Sequence, residues 1–180
     1  MIAGIDLVQI REKNLTARVL FELSQSAAEI VRGTQTKLLI NDRADIASTA
    51  GANGVHLATT SLPAQAVRRA FGNEMLIGVS THSLDEANVA NQSGADFIVF
   101  GPVFETRSKS EYGPARGIEE LRGLTSALGE FPVLALGGIS EDTVEACLRA
   151  GARGVAAISM LQDQERLAEL TGRIHSLPLN

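Results

Sequence analysis

Five times along this chain an apolar run of strand length breaks into a polar or glycine-rich tip. Val8-Gln9-Ile10 gives way to Arg11-Glu12-Lys13, Leu38-Leu39-Ile40 to Asn41-Asp42, and Ile77-Gly78-Val79 to Ser80-Thr81-His82. Ile98-Val99-Phe100 then breaks into Gly101-Pro102, and Val133-Leu134-Ala135-Leu136 into Gly137-Gly138. Strands that collect binding and reactive groups at their carboxyl ends describe the active face of a parallel barrel. An open doubly wound sheet would concentrate such groups at a single switch point instead.

Periodicity places strands near 6–11, 37–41, 54–58, 76–80, 97–101, 132–136 and 154–159, and helices near 16–32, 63–71, 84–93, 117–128, 140–150 and 161–172. The first helix takes Thr16 as its N-cap, gathers Leu20, Leu23, Ala27, Ile30 and Val31 on one face, and stops at Gly33. A weak repeat, Ala50-Gly51-Ala52, Ser93-Gly94-Ala95 and Ala150-Gly151-Ala152, precedes three of the strands, with Gly4 before the first. Glycine there suits the left-handed residue that ends a helix. About seven βα units result, so the expected fold is α/β, a TIM (β/α)8-type barrel. Such barrels take at least about 200 residues, and this chain has 180 with a strand pattern almost at its first residue. It is therefore read as lacking strand one and helix one, either genuinely or because the true start lies upstream.

A chain that is 44% hydrophobic and 180 residues long buries one ordinary core, so residues 1–180 are expected to form a single barrel domain. The formal net charge of -5 carries no basic stripe, which argues against nucleic acid as a partner. Neither a leader nor an apolar stretch long enough to span a bilayer is found, so no membrane partner and a cytoplasmic location are expected. Cys147, among Val144, Leu148 and Ala150, reads as a buried small hydrophobe and not as a nucleophile.

The tips carry the chemistry. Arg11 and Lys13 lie two apart at a strand end, an arrangement that turns both side chains to one side and suits a diphosphate. Asp42, a hard oxygen donor, suits Mg²⁺ beside phosphate, and equally suits a helix cap. Gly137-Gly138 after one late strand and Ile158-Ser159 after the next fit the barrel phosphate site, where backbone N–H groups and a helix N-terminus receive an anion. His82 can serve as acid and base near neutral pH, whereas His56 and His175 read as structural or exposed.

These motifs together, Gln9-Ile10-Arg11-Glu12-Lys13, Asn41-Asp42-Arg43, Gly54-Val55-His56-Leu57, Ser80-Thr81-His82, Gly101-Pro102-Val103-Phe104-Glu105-Thr106-Arg107-Ser108-Lys109 and Leu136-Gly137-Gly138, resemble the thiamine phosphate synthase family from residue 4 to about 162. The resemblance implies a TIM barrel that joins hydroxymethylpyrimidine diphosphate to a thiazole phosphate, with Mg²⁺, releasing pyrophosphate. It implies that Gln9 contacts the pyrimidine and that Arg11, Lys13 and Asn41 contact the diphosphate. Asp42 would be a Mg²⁺ ligand, Ser80 a site residue, and Thr106, Ser108 and Lys109 the loop that closes over diphosphate and thiazole phosphate. Gly138, Ile158 and Ser159 complete the implied substrate contacts, and Lys109, Ser80 and His82 the implied catalytic groups.

The chain departs from the family at Ala58-Thr59-Thr60-Ser61, where synthases usually carry Gly-Gln-x-Asp and its second metal-binding acid. That segment looks more like the related TenI-like thiazole tautomerases, which use a histidine at the position of His82. The retained Asp42, Gln9, Arg11, Lys13 and Lys109 favour the synthase, with the tautomerase and a non-catalytic ligand-binding relative as alternatives. Small phosphorylated molecules are the expected partners, together with a homo-oligomer whose second chain would cover a breached wall.

Overall fold

The structure, a computed structural model, describes residues 4–105 and 113–178. It divides into two compact units, Met1–Val79 with Ser93–Asp96, and Ser80–Gln92 with Phe97–Asn180.

The first unit holds β1 (Leu7–Ile10), α1 (Ala17–Val31), β2 (Lys37–Asn41), α2 (Ala44–Ala50), β3 (Gly54–Leu57), α3 (Ala64–Phe71) and most of β4 (Leu76–Thr81). β1 to β4 are successive parallel neighbours, with Leu7 opposite Lys37, Asn41 opposite His56, and His56 opposite Gly78. Leu38, Leu39 and Ile40 of β2 and all of β3 are buried, the unbroken apolar pattern of strands covered on both faces. Arg68 ties the amino-terminal ends of this unit together. Its guanidinium donates to the carbonyls of Gly72, Met75 and Gly94 and to the Asp96 carboxylate at 2.7 to 3.1 Å, and Asp96 in turn accepts from the Ile77 N–H at 2.7 Å.

The second unit holds α4 (Leu84–Gln92), β5 (Phe97–Phe100), α5 (Ile118–Leu128), β6 (Val133–Leu136), α6 (Glu141–Arg149), β7 (Gly154–Ala156) and α7 (Leu167–Ser176), with Ser80 and Thr81 from the end of β4. β5, β6 and β7 are again parallel, Ile98 facing Val133 and Leu134 facing Gly154. Its core is Ile98, Phe100, Val103, Leu121, Leu124, Val133, Ala135, Val144, Cys147 and Leu148. Cys147 is fully buried and desolvation pushes its thiol up to about 11, so it packs as a hydrophobe. Glu141 at the start of α6 takes ion pairs from both Arg166 and Arg173 at 2.9 Å, holding α7 in place.

Strands followed by helices, parallel within each unit, bear out the α/β alternation. The repeated glycines do end helices or precede strands with left-handed backbone, at Gly51 (φ 75), Gly94 (φ 84) and Gly151 (φ 92). The structure differs from the periodicity in several places. α2 was not expected, because Ala44–Ala50 carries too few large apolar residues to show a helical stripe. β1 ends at Ile10, so Arg11 and Lys13 lie beyond the strand and strand alternation no longer dictates a common side for them. β7 ends at Ala156, and a 3-10 turn occupies Ser159–Leu161, so the last helix begins at Leu167 and not near 161. Asp163 accepts the N–H groups of Glu165 and Arg166 and sets that later start; His175 falls inside α7. Finally, the buried stripe of α1 is Leu20, Ser24 and Ala28, whereas Leu23 and Ile30 are exposed. The small pair Ser24 and Ala28 brings the helix close to its neighbours, with the Ser24 hydroxyl satisfied by the Leu20 carbonyl at 2.6 Å.

Candidate active site

In the first unit a polar layer crosses the carboxyl ends of three strands. Gln9 Nε2 donates to Asn41 Oδ1 at 3.0 Å, which places both amides on one face, and Asn41 is register partner to His56. That bond fixes the two amides in orientation, leaving Gln9 an oxygen and Asn41 a nitrogen to offer a ligand. His56 is 6% exposed and its imidazole is held down at about 4, first by burial and second by the positive charge of Arg11. It is therefore neutral throughout the physiological range, and its proximity to Arg11 brings a cation to the same layer. Sequence reasoning set His56 aside as structural or exposed; its signal was a lone imidazole in an otherwise apolar strand, one step from a polar tip. Arg11 and Lys13 are exposed.

Asp42 follows β2 with φ 63, the one positive-φ residue other than glycine among the described residues, and its N–H donates to the His56 carbonyl at 2.9 Å. Aspartate tolerates this left-handed backbone better than most residues. The turn it makes aims the chain from β2 into α2. The helix-cap alternative for Asp42 does not hold, because Arg43 is the N-cap residue of α2 and no side chain caps that end. Arg43 instead pairs with Asp45 at 2.6 Å, and that hydrogen bond lowers the Asp45 carboxyl. Among the described residues no group of three or more His, Cys, Asp or Glu side chains is placed to hold a metal. Ser61, where the family carries an acid, closes the turn after β3: its hydroxyl accepts the Ala58 N–H at 2.8 Å and its own N–H returns to the Ala58 carbonyl at 3.0 Å.

In the second unit His82 is held at two points. Its backbone N–H donates to Glu86 Oε2 at 2.6 Å, and its Nδ1 lies 2.5 Å from the Gly101 carbonyl oxygen. A carbonyl can only accept, so Nδ1 is the donor in this contact. Ser80, part-buried, lies two residues before it, near the end of β4. After β5 the chain runs alongside the end of β6, with Val103 N–H donating to Leu136 O at 2.8 Å and Phe104 N–H to Gly137 O at 2.9 Å. This close approach explains the glycine pair. A Cβ at Gly137 would lie 2.5 Å from Pro102 Cα, and one at Gly138, whose φ is 63, would lie 2.5 Å from the Glu105 carbonyl oxygen. Both glycines thus have a packing reason to be there, besides the anion contact the sequence suggested for Gly138.

Ile158 and Ser159 are exposed, with Ile158 72% accessible, and they open a short 3-10 turn. The helix N-terminus expected beside them is absent, since α7 starts eight residues after Ser159. Thr106, Ser108 and Lys109 lie outside the described residues. A cavity of about 320 Å³ in this unit sits elsewhere, against Arg122, Thr125, Arg149 and Gly151 at the carboxyl ends of α5 and α6. Its two arginines are paired with Glu119 and Glu145, and helix carboxyl ends repel anions, so it is a poor receptor for phosphate.

The sequence model of a family described as thiamine monophosphate synthase matches residues 1–161. A thiamine-phosphate synthase of Moorella thermoacetica is 36% identical over 174 residues, 97% of this chain and 82% of that protein. One from Syntrophomonas wolfei is 38% identical over 158 residues, 88% of this chain and 75% of that protein. Among solved structures, a thiamine phosphate pyrophosphorylase from Pyrococcus furiosus superposes with a TM-score of 0.83 at 29% identity, covering 96% of this chain and 82% of its own. A 3-hexulose-6-phosphate synthase, at TM-score 0.67 and 17% identity, shares the fold alone.

Proposed function

The chain belongs to the thiamine monophosphate synthase family, and on that premise we propose that it joins hydroxymethylpyrimidine diphosphate to a thiazole phosphate. The bond from the pyrimidine methylene carbon to the diphosphate oxygen breaks, the thiazole nitrogen supplies the electron pair for the new carbon–nitrogen bond, and pyrophosphate leaves. The match of residues 1–161 to the family carries this reading. The polar layer of the first unit supports it.

Breaking the carbon–oxygen bond leaves positive charge on the methylene and negative charge on the leaving group, so the protein's work is to hold a polyanion and orient a ring. The Gln9–Asn41 pair offers a fixed acceptor and donor to an aminopyrimidine and a phosphoryl oxygen. Arg11 and Lys13 supply the cations for the diphosphate, and His56, kept neutral by burial, adds no titrating charge beside them. Ser80 and His82 are assigned to the reacting rings, as a hydroxyl and an imidazole, on the family resemblance. Lys109, with Thr106 and Ser108, is assigned to the departing diphosphate, and Gly138, Ile158 and Ser159 to the thiazole phosphate.

Mg²⁺ is bound by one or two protein carboxylates when substrate phosphates fill its other positions. Asp42, exposed at the end of β2, fits that role as a single carboxylate. When bound, the ion would neutralise charge on the departing diphosphate.

The test is a chromatographic time course with both substrates and Mg²⁺. Thiamine phosphate and pyrophosphate in equal amounts are expected, and their absence would overturn the proposal. A second reading, a TenI-like tautomerase, is favoured by one observation: Ser61 is committed to a turn where synthases place a metal-binding acid. In that case His82 would take a ring proton and return it elsewhere on the thiazole, and the same time course would yield only the aromatised thiazole phosphate.

A further inference from the structure

Arg116 is the unusual cation of the second unit. Its Nε has no solvent exposure and no hydrogen-bond partner among the described residues, although the side chain as a whole is one-third exposed. A guanidinium is always charged, and an orphaned donor on it forfeits a charge-assisted bond. Glu120 is its nearest carboxylate, at 3.9 Å, the outer limit of an ion pair. Arg122, Arg149, Arg166 and Arg173 all sit 3.5 Å or closer to theirs.

The backbone fixes where Arg116 stands. Its N–H donates to Pro102 O at 2.8 Å and the Gly117 N–H to Val103 O at 2.9 Å, while the N–H groups of Val103 and Phe104 donate to Leu136 O and Gly137 O. Residues 102–104 therefore bond to the Arg116–Gly117 segment as well as to the end of β6, and Arg116 is held against the segment that follows β5 and that also bonds to Gly137. It also immediately precedes Gly117, the N-cap of α5, where the helix dipole is positive and an additional cation is unfavourable unless an anion joins it.

We propose that Arg116 is a substrate-binding residue that grips a phosphoryl oxyanion through its guanidinium fork. This deepens the synthase reading and rests on it. The oxyanion comes either from the diphosphate of the pyrimidine substrate or from the monophosphate of the thiazole. Arginine offers two parallel donors to such a group, which lysine cannot match.

The experiment is calorimetric titration of wild type, Arg116→Gln and Arg116→Lys with inorganic pyrophosphate and, separately, with the thiazole phosphate. Arg116→Gln should weaken one of the two by about 10- to 100-fold, the range a charge-assisted bond supports, with Arg116→Lys in between. Loss confined to pyrophosphate assigns the diphosphate, and loss confined to the thiazole phosphate assigns the monophosphate. Glu120→Gln removes the competing carboxylate and should tighten the same anion even if Arg116→Gln folds poorly. Affinities within twofold of wild type for both anions in Arg116→Gln, or an unchanged affinity in Glu120→Gln, overturn the assignment. Product formation by wild type separates the outcomes: wild-type synthesis with indifferent variants refutes Arg116 alone, and no synthesis refutes the synthase reading.

Discussion

Acidification should expose His56. The imidazole is 6% exposed and sits at about 4 in the folded protein against 6.5 in the free side chain, chiefly because burial disfavours the charged ring and secondarily because Arg11 repels it. The sign follows from which state binds the proton. Above about pH 6.5 the ring is neutral in both states and contributes nothing to the pH dependence. Below that, the unfolded chain takes up a proton that the native protein refuses until about pH 4, so stability falls as pH falls across this window. A depression of this size corresponds to about 3 kcal/mol by the bottom of the window. Urea unfolding at pH 7.5, 6.5, 5.5 and 4.5 should show wild type losing roughly 2–3 kcal/mol more than His56→Gln. Carboxylates such as Asp45 also weaken at low pH, but equally in both proteins, so the difference isolates the imidazole. Arg11→Met should retain most of the wild-type slope, because Arg11 is exposed and supplies the smaller cause. Parallel pH profiles for wild type and His56→Gln would refute the reasoning, and so would a steeper profile in Arg11→Met.

Asp42 combines a strained backbone with a proposed metal role, and three substitutions separate them. Asp42→Ala should cost about 1 kcal/mol of stability at φ 63, whereas Asp42→Asn and Asp42→Gly should not; all three should need at least tenfold more Mg²⁺ for synthesis, and a wild-type Mg²⁺ response in Asp42→Asn would count against the assignment. Ser61→Asp should keep the turn, since a carboxylate also accepts the Ala58 N–H, and should lower the Mg²⁺ requirement in the same titration. Arg68→Ala should lower Tm by roughly 6–12 °C, from about 3 kcal/mol of lost charged hydrogen bonds, with kcat unchanged because its partners Gly72, Met75, Gly94 and Asp96 end α3 or precede a strand and none lies at a strand's carboxyl end. Gly138→Ala should abolish synthesis, because its Cβ would meet the Glu105 carbonyl, while Gly123→Ala in α5, with open space at its Cβ, should gain about 0.5–1 kcal/mol in thermal denaturation.

The alternation of strand and helix, the parallel pairing and the helix-ending glycines were legible in the chain itself, because they rest on local rules. A run such as Leu38-Leu39-Ile40 is apolar enough to demand cover on both faces, and Gly51, Gly94 and Gly151 sit where a left-handed residue is needed. Gln9 and Asn41 were also legible as polar tips. What could not be read locally was decided by which segments meet. The hydrogen bond between Gln9 and Asn41 spans 32 residues, and it takes the register of β1 on β2 to bring the two amides together. His56 looks like a misplaced imidazole until the register of β2 on β3 sets it beside Asn41 and near Arg11, and its neutrality follows from burial that no local pattern encodes. The end of β7 and the start of α7 differ from the periodicity because the turn at Ser159–Leu161 and the Asp163 hydrogen bonds override an ambiguous apolar pattern. Gly137 and Gly138 invite an anion when read alone, and the tertiary structure adds that the chain after β5 leaves room for no side chain there. The order of elements is thus written in short-range propensity and hydrophobic period. The identity of the interacting groups is a matter of distance across the sheet, which only the folded chain sets.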